Sequence, residues 1–236
     1  MALPLYLAVT GEDFSSCISA SRKIAWMACQ FSRTGTGLSG IPPELPAGSM
    51  VILNDAAPLQ AHSGEYIISQ LQALVSREHY SGILLDFQRP YNEKTRQLTE
   101  KITQTLPCPV GVPPGYAKGL NCPVFLPPVP LNKTPQSYFS PWKGREIWLD
   151  VALDGLQITV TPKGSQFSPL TYQPEDKFVF ADTRLYCNYS TAVAENHVCF
   201  KLCRTEKTLN NLLAAAEKQG VSRCIGLYRE LYKTSL

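Results

Sequence analysis

No stretch of this chain approaches the roughly 20 consecutive apolar residues that a membrane-spanning helix needs, so a helical membrane protein is excluded by hydropathy. Nor is there a run of basic residues interleaved with aromatics. The 22 Lys+Arg against 19 Asp+Glu leave a net charge of +3, too small to point to nucleic acid or an anionic membrane surface. The eight cysteines are widely spread and form no C-x-x-C pair, and the three histidines, His62, His79 and His197, have no metal-ligand spacing with one another. His197 with Cys199 and Cys203 makes only a weak cluster, read as buried thiols rather than a zinc site. No serine or cysteine sits in a nucleophile-elbow motif. No metal or cofactor is therefore expected. The N-terminal MALPLYLAVTGED lacks a basic n-region, and its apolar run ends in acidic residues. The expectation is a cytoplasmic chain with reduced, buried thiols, in which the sequons at Asn132 and Asn188 carry no glycan.

What is present is a pattern of short apolar runs alternating with helical periodicity. With 236 residues and 44% hydrophobic composition the chain can build one sizeable core. Eight candidate strands are Pro4–Thr10, Lys23–Phe31, Ser49–Asn54, Gly82–Phe87, Cys108–Val112, Cys122–Leu126, Glu146–Leu153 and Arg223–Tyr228. Three helices stand out. Glu65–Glu78 lines up Ile67, Ile68, Leu71, Leu74 and Val75, and Glu93–Leu106 lines up Leu98, Ile102 and Leu106. Glu206–Gln219 lines up Leu209, Leu212, Leu213 and Ala216, with Gly220 placed to end it. Strand–helix alternation argues for a parallel sheet, and eight strands in this length argue for a closed (β/α)8 barrel. The expected organisation is a single α/β domain over 1–236, a TIM barrel. Residues 156–200 (LQITVTP, KFVFAD, RLYCNYS, HVCFKL) read as a β-hairpin insertion between the seventh and eighth strands. The proline-rich connection from Pro113 to Lys143 shows no obvious helix.

The most informative stretch is YSGILLDFQRP, residues 80–90. Laid over aromatic-D-G-x-D-x-D-x-E-x-P, Gly82, Asp86 and Pro90 match and Phe87 stands at a usual aromatic. Ser81 and Leu84 replace the first two aspartates, and Gln88 replaces the glutamate. This stretch resembles the fourth-strand signature of the chitinase-type glycoside hydrolases of family 18. The order of His197–Leu202, the 206–219 helix and Cys224–Tyr228 is similar to the close of the spore-type members. The resemblance implies a site at the C-terminal rim of the barrel, where Asp86 would orient a substrate N-acetyl group that is itself the nucleophile. It also implies that the proton donor is gone, because an amide at Gln88 does not give up a proton at useful pH. The family's sixth-strand tyrosine would fall at Leu126–Pro128, its seventh-strand tyrosine at Asp154, and its eighth-strand tryptophan at Tyr228.

Strand alternation places Gly82, Leu84, Asp86 and Gln88 on one face, and Trp148, Asp150, Ala152 and Asp154 on one face of the seventh strand. Asn54, Glu12 and Asp13 end neighbouring strands. The candidate ligand-binding set is thus Asp86, Gln88, Asn54, Asp150, Asp154 and Tyr228. Three readings follow: a non-catalytic binder of an N-acetylglucosamine-containing glycan such as chitin or peptidoglycan fragments, a glycosidase whose acid has moved to Asp150 or Asp154, or a protein scaffold with no sugar site. Asp86 has a structural alternative, an ion pair with Arg89 or Arg229, and Asp154-Gly155 has another, a turn. The literal G-x-G-x-x-G at Gly35–Gly40 runs into Ile41-Pro42-Pro43, which forbids the helix a dinucleotide site requires, and reads as a flexible rim loop.

Overall fold

The computed structural model describes residues 3–19, 22–77, 79–170 and 178–231. In chain order the first half comprises β1 (Leu5–Val9), α1 (Gly11–Ser19), β2 (Lys23–Phe31), β3 (Leu38–Ser39), β4 (Met50–Asn54), α2 (Gly64–Arg77), β5 (Gly82–Asp86), α3 (Glu93–Thr105) and β6 (Val110–Gly111). There follow β7 (Val124–Leu126), α4 (Pro135–Phe139), β8 (Ile147–Val151), β9 (Gly155–Thr161), β10 (Gly164–Pro169), β11 (Phe180–Asp182), β12 (Cys187–Ala194), β13 (His197–Cys203), α5 (Glu206–Glu217), β14 (Val221–Leu227) and α6 (Tyr228–Leu231). Glu78, the expected end of α2, and Lys177, the first residue of KFVFAD, lie outside the described residues.

Eight of these strands pair in parallel in the order β6-β5-β4-β2-β1-β14-β8-β7. A single parallel bridge between Val112 and Val124 joins the two ends, with Phe125 N–H donating to the Val112 carbonyl at 2.8 Å. The result is a (β/α)8-type barrel. Strands β6 and β7 are shorter than the expected Cys108–Val112 and Cys122–Leu126 because Pro109, Pro113, Pro123 and Pro127 bracket them and have no N–H to extend the ladder.

Two apolar layers follow from strand alternation. Leu7, Val9, Ile24, Val51, Leu53, Ile83 and Leu85 face outward under the helices, whose buried stripes are those the periodicity predicts: Ile67, Ile68, Leu71, Leu74 and Val75 on α2, and Leu209, Leu212, Leu213 and Ala216 on α5. Tyr6, Ala8, Ala25, Met50, Ile52, Leu84, Trp148 and Ile225 fill the lumen. Local chemistry starts the helices: Asn92 caps α3 by accepting from Thr95 N–H at 2.9 Å, and Thr205 and Thr208 cap α5 reciprocally.

At the N-terminal end Trp148 plugs the lumen. A Cβ at Gly111 would lie 2.3 Å from its ring and one at Gly82 2.8 Å from it, so both positions must lack a side chain. The glycine shared with the chitinase signature is thus explained here by packing.

Two connections depart from expectation, and a third, the β-rich run, is the insertion that was expected. The Gly35–Gly40 loop is tied rather than free: β3 pairs antiparallel with β2, Leu38 N–H donates to Gln70 Oε1 at 2.8 Å and Trp26 Nε1 donates to the Gly40 carbonyl at 2.8 Å. Gly40 has φ +64°, and a Cβ there would strike the Ala28 carbonyl oxygen. The 113–143 connection contains the one-turn α4, with Thr134 as its cap and Pro135 in its first turn. Arg145 holds the rest of it, donating to the carbonyls of Ala117, Leu120 and Cys122 at 2.7–3.0 Å. The β-rich run folds as a separate five-stranded antiparallel sheet in the order β10-β9-β13-β12-β11, springing from the end of β8 and returning into α5.

All eight cysteines are unbonded. Burial pushes the thiol of Cys29 up to about 12 and that of Cys224 higher still, so neither is a reactive thiolate. Among the described residues no helix is long and apolar enough to cross a membrane.

Candidate functional site

The luminal parity of β5 carries from Gly82 through Leu84 to Asp86 and Gln88, which emerge at the C-terminal mouth. Asp86 is half-buried and Gln88 exposed, and the Gln88 side-chain amide donates to Asp86 Oδ2 at 3.0 Å. Burial raises the Asp86 carboxyl above its ordinary value, the Gln88 hydrogen bond opposes this, and the nearby Asp55 charge adds to it. Asn54 lies in register with Asp86 on the adjacent strand, and its Oδ1 accepts from Ala56 N–H at 3.0 Å to turn the chain out of β4.

Across the lumen, β8 alternates from Trp148 to Asp150, placed two residues above the plug. Burial is the main force on Asp150 and pushes its carboxyl up to about 7. The Val151 backbone opposes the shift, while the charges of Asp86, Asp154 and Glu230 reinforce it. The Tyr138 hydroxyl, brought in by α4, donates to the Pro127 carbonyl at 2.9 Å. Its pKa rises to about 12, through burial first and the Asp150 charge second. Asp150 is therefore an acid that holds its proton close to neutrality, facing a phenol and three further carboxylates.

Asp154 also has a structural partner. Its Oδ2 lies 3.6 Å from Nη1 of the fully buried Arg204, and its carbonyl accepts from Arg204 N–H at 2.8 Å. Burial raises Asp154 while the guanidinium pulls it down. Arg229 goes to Glu12 and Asp13, at 2.6 and 2.9 Å, so these three form a group of their own.

Of the expected residues, Asp86, Gln88, Asn54 and Asp150 share the mouth, and Asp154 lies at its edge. Tyr228 does not join them. Strand β14 ends at Leu227, with Ile225 in the lumen, so Tyr228 falls on the opposite parity as the first residue of α6 and packs against the outer layer. Three residues were missed. Glu230, one helical step beyond β14, feels Asp154 and is raised by burial. Tyr138 was hidden by the assumption that its connection lacks a helix, although Thr134-Pro135 is a helix-start signal. Asp55, next to Asn54, is buried and clamps the next loop: Oδ1 accepts from Gln88 N–H at 2.8 Å and Oδ2 from Arg89 N–H at 3.1 Å. Replacing Asp55 by alanine leaves two amides without their acceptor and is expected to cost about 2 kcal/mol. Denaturant melts check this, together with faster amide exchange confined to residues 88–92.

Beneath this loop an aromatic row runs outward: Phe31–Phe87 at 5.4 Å, Phe87–Tyr116 at 5.8 Å and Tyr116–Tyr91 stacked at 5.3 Å. Among the described residues no group of three or more His, Cys, Asp or Glu is arranged to hold a metal ion.

No protein-family model matches the chain, and no curated protein matches it significantly. Solved structures do match. The spore cortex-lytic enzyme SleL of Bacillus cereus superposes with a TM-score of 0.59 at 10% identity, over 95% of this chain and 70% of that one. A mutant plant class V chitinase from Cycas revoluta, in complex with (GlcNAc)3, gives 0.55 at 12% identity over 95% and 94%. A chitinase from Chromobacterium violaceum gives 0.53 at 11% over 95% and 93%. At these identities the likeness is one of fold: a (β/α)8-type barrel similar to theirs.

Proposed function

We propose that the mouth of this barrel binds an N-acetylglucosamine-containing glycan and does not cleave it by the acid-assisted route. The reading rests on one observation: at the strand-end position where the resembling signature has its proton donor, an amide donates a hydrogen bond to the retained carboxylate of Asp86. That pair can hold a sugar. Asp86 accepts from an amide N–H or hydroxyl, the Gln88 carbonyl accepts another, and a protonated Asp150 donates. It cannot deliver a proton to a leaving oxygen, a contribution typically of about 10²–10⁴-fold. Support for the sugar class comes from the fold neighbours, one of which is in complex with (GlcNAc)3.

Titration with an N-acetylglucosamine tetramer, followed by mass spectrometry of the mixture, tests this. Binding without products is expected, together with an affinity loss of about tenfold or more in Asp86→Ala. Gln88→Glu gains little hydrolysis, because the sequence positions of both family tyrosines hold other residues, at Leu126–Pro128 and at Asp154. Vigorous cleavage by that variant would refute the account.

A second reading is favoured by Asp150, whose environment holds a proton near neutrality as a general acid must. It requires cleavage by the unmodified protein that disappears in Asp150→Asn.

A further inference from the structure

The inserted sheet has one face that is mainly apolar, with Ser165, Thr191 and Asp182 its polar members. Cross-strand register sets Leu156, Ile158 and Val160 of β9 beside Leu202, Phe200 and Val198 of β13. These in turn stand beside Tyr189, Thr191 and Val193 of β12. Phe167 of β10 and Phe180 of β11 extend the same face to its two edges. The reverse face carries Gln157, Thr159, Lys201, Asn188 and Ser190. The reverse face also holds the small Cys199, Ala192 and Ala194, but its large side chains are polar, and this asymmetry marks a sheet built to be covered on one side.

Among the described residues only half of it is covered. Near the barrel Leu202 and Cys187 close over Leu131, with Leu156, Ile158 and Tyr189 partly buried around them. Farther out, Val193 is 80% exposed, Phe167 57% and Val160 38%, while Phe180, 48% exposed, stands at the lateral edge of the inner half beside Tyr189. The strand positions of this outer half carry no charge. The edge strand β10 (GSQFSP) is exposed along its whole length and has no charged residue either, whereas sheet edges that must stay single normally carry one.

We propose that the outer half of this face is a contact between two copies of the chain, packed sheet against sheet. Three features select a second copy over another partner. The strand positions of the patch offer no charge for a different protein to read, and a mainly apolar surface is complementary to itself, which is all that a twofold contact requires. Two apolar sheet faces have a ready packing solution, stacking about 10 Å apart with their strands nearly aligned. The contact is also continuous with the core that the insertion already forms on Leu131, so a second sheet completes a sandwich the first leaves open. The area is modest, on the order of 1,000 Å² in total, which places the dimer at the weak end of specific interfaces.

Sedimentation equilibrium of the unmodified chain from about 1 to 100 μM tests the proposal, with Val193→Lys and Phe167→Glu run beside it. A reversible dimer is expected, with a dissociation constant at least about tenfold higher in each variant and melting temperatures unchanged at concentrations where the chain is monomeric, since both side chains are mostly exposed there. A chain that stays monomeric at 100 μM overturns the proposal. So does a dimer that both variants leave intact. A monomer whose affinity for the N-acetylglucosamine tetramer falls in Val193→Lys also overturns it and hands the face to the glycan.

Discussion

Trp148→Ala is expected to cost about 3–5 kcal/mol, the range for deleting a fully buried large aromatic. The ring is completely buried at the foot of the lumen. Its Nε1 donates to Glu146 Oε1 at 3.0 Å, and the Arg223 guanidinium lies over it, 4.6 Å from the ring centroid. Arg223 Nη1 also donates to the Ser81 carbonyl, at 2.6 Å, so the indole, the guanidinium and the start of β5 form one packed unit. Truncation empties the space that Gly82 and Gly111 leave clear, strips a stacking surface from a charged group and takes one donor from Glu146, which keeps Ser222 at 2.7 Å. The glycines supply the control. Gly111→Ala alone overpacks the ring and costs about 1–3 kcal/mol, but in the Trp148→Ala background the added methyl enters vacated space. The two changes should therefore be strongly non-additive in a double-mutant cycle read by chemical denaturation. Additive costs would mean that Gly111 is needed for its backbone rather than for the room it leaves.

The second large effect is a pH dependence carried by Asp150. Its carboxyl holds its proton to about 7 in the folded chain, whereas an unfolded aspartate releases it near pH 4. Between those values the folded state binds more protons than the unfolded state, so stability falls as pH rises, and the whole penalty is present above about pH 7. A shift of this size corresponds to about 4 kcal/mol, and solvent at the mouth reduces it, giving about 2–4 kcal/mol. Asp150→Asn removes the titration. The variant should match the unmodified protein at pH 4 and exceed it by that amount at pH 8, in parallel urea melts. An equal gain at both pH values would assign the effect to shape rather than charge. Burial raises Asp86, Asp154 and Glu230 in the same direction, so a weaker slope of the same sign should survive in the variant.

How much of this was legible in the residues depends on whether the controlling interaction is local. Strand and helix faces were, because period and burial coincide: the five core residues of α2 were all readable from spacing. The lumen of β5 followed from alternation once Gly82 and Asp86 were aligned. What could not be read depended on partners far along the chain. Asp55 looks like any acidic residue after a strand until it is seen accepting from amides more than 30 positions away. The shared glycine looked like part of a catalytic signature, but it is the ring of Trp148, some 60 residues later, that requires it. Tyr228 failed for the opposite reason. It was placed by alignment alone, and with Ile225 in the lumen strand alternation already turns position 228 to the outer side.

The closure of the barrel carries a mechanical consequence. Seven of its eight seams are ladders of two to five residue pairs, whereas the eighth, between β6 and β7, is a single rung at Val112 and Val124. The wall is therefore less a hoop than a rolled strip held by one stitch. Its load passes instead to the connecting loop, where one guanidinium, that of Arg145, grips three carbonyls like a rivet. A thermal or mechanical load would unroll the cylinder along that line first, leaving the carboxylates of β5 and β8 on opposite sides of the gap.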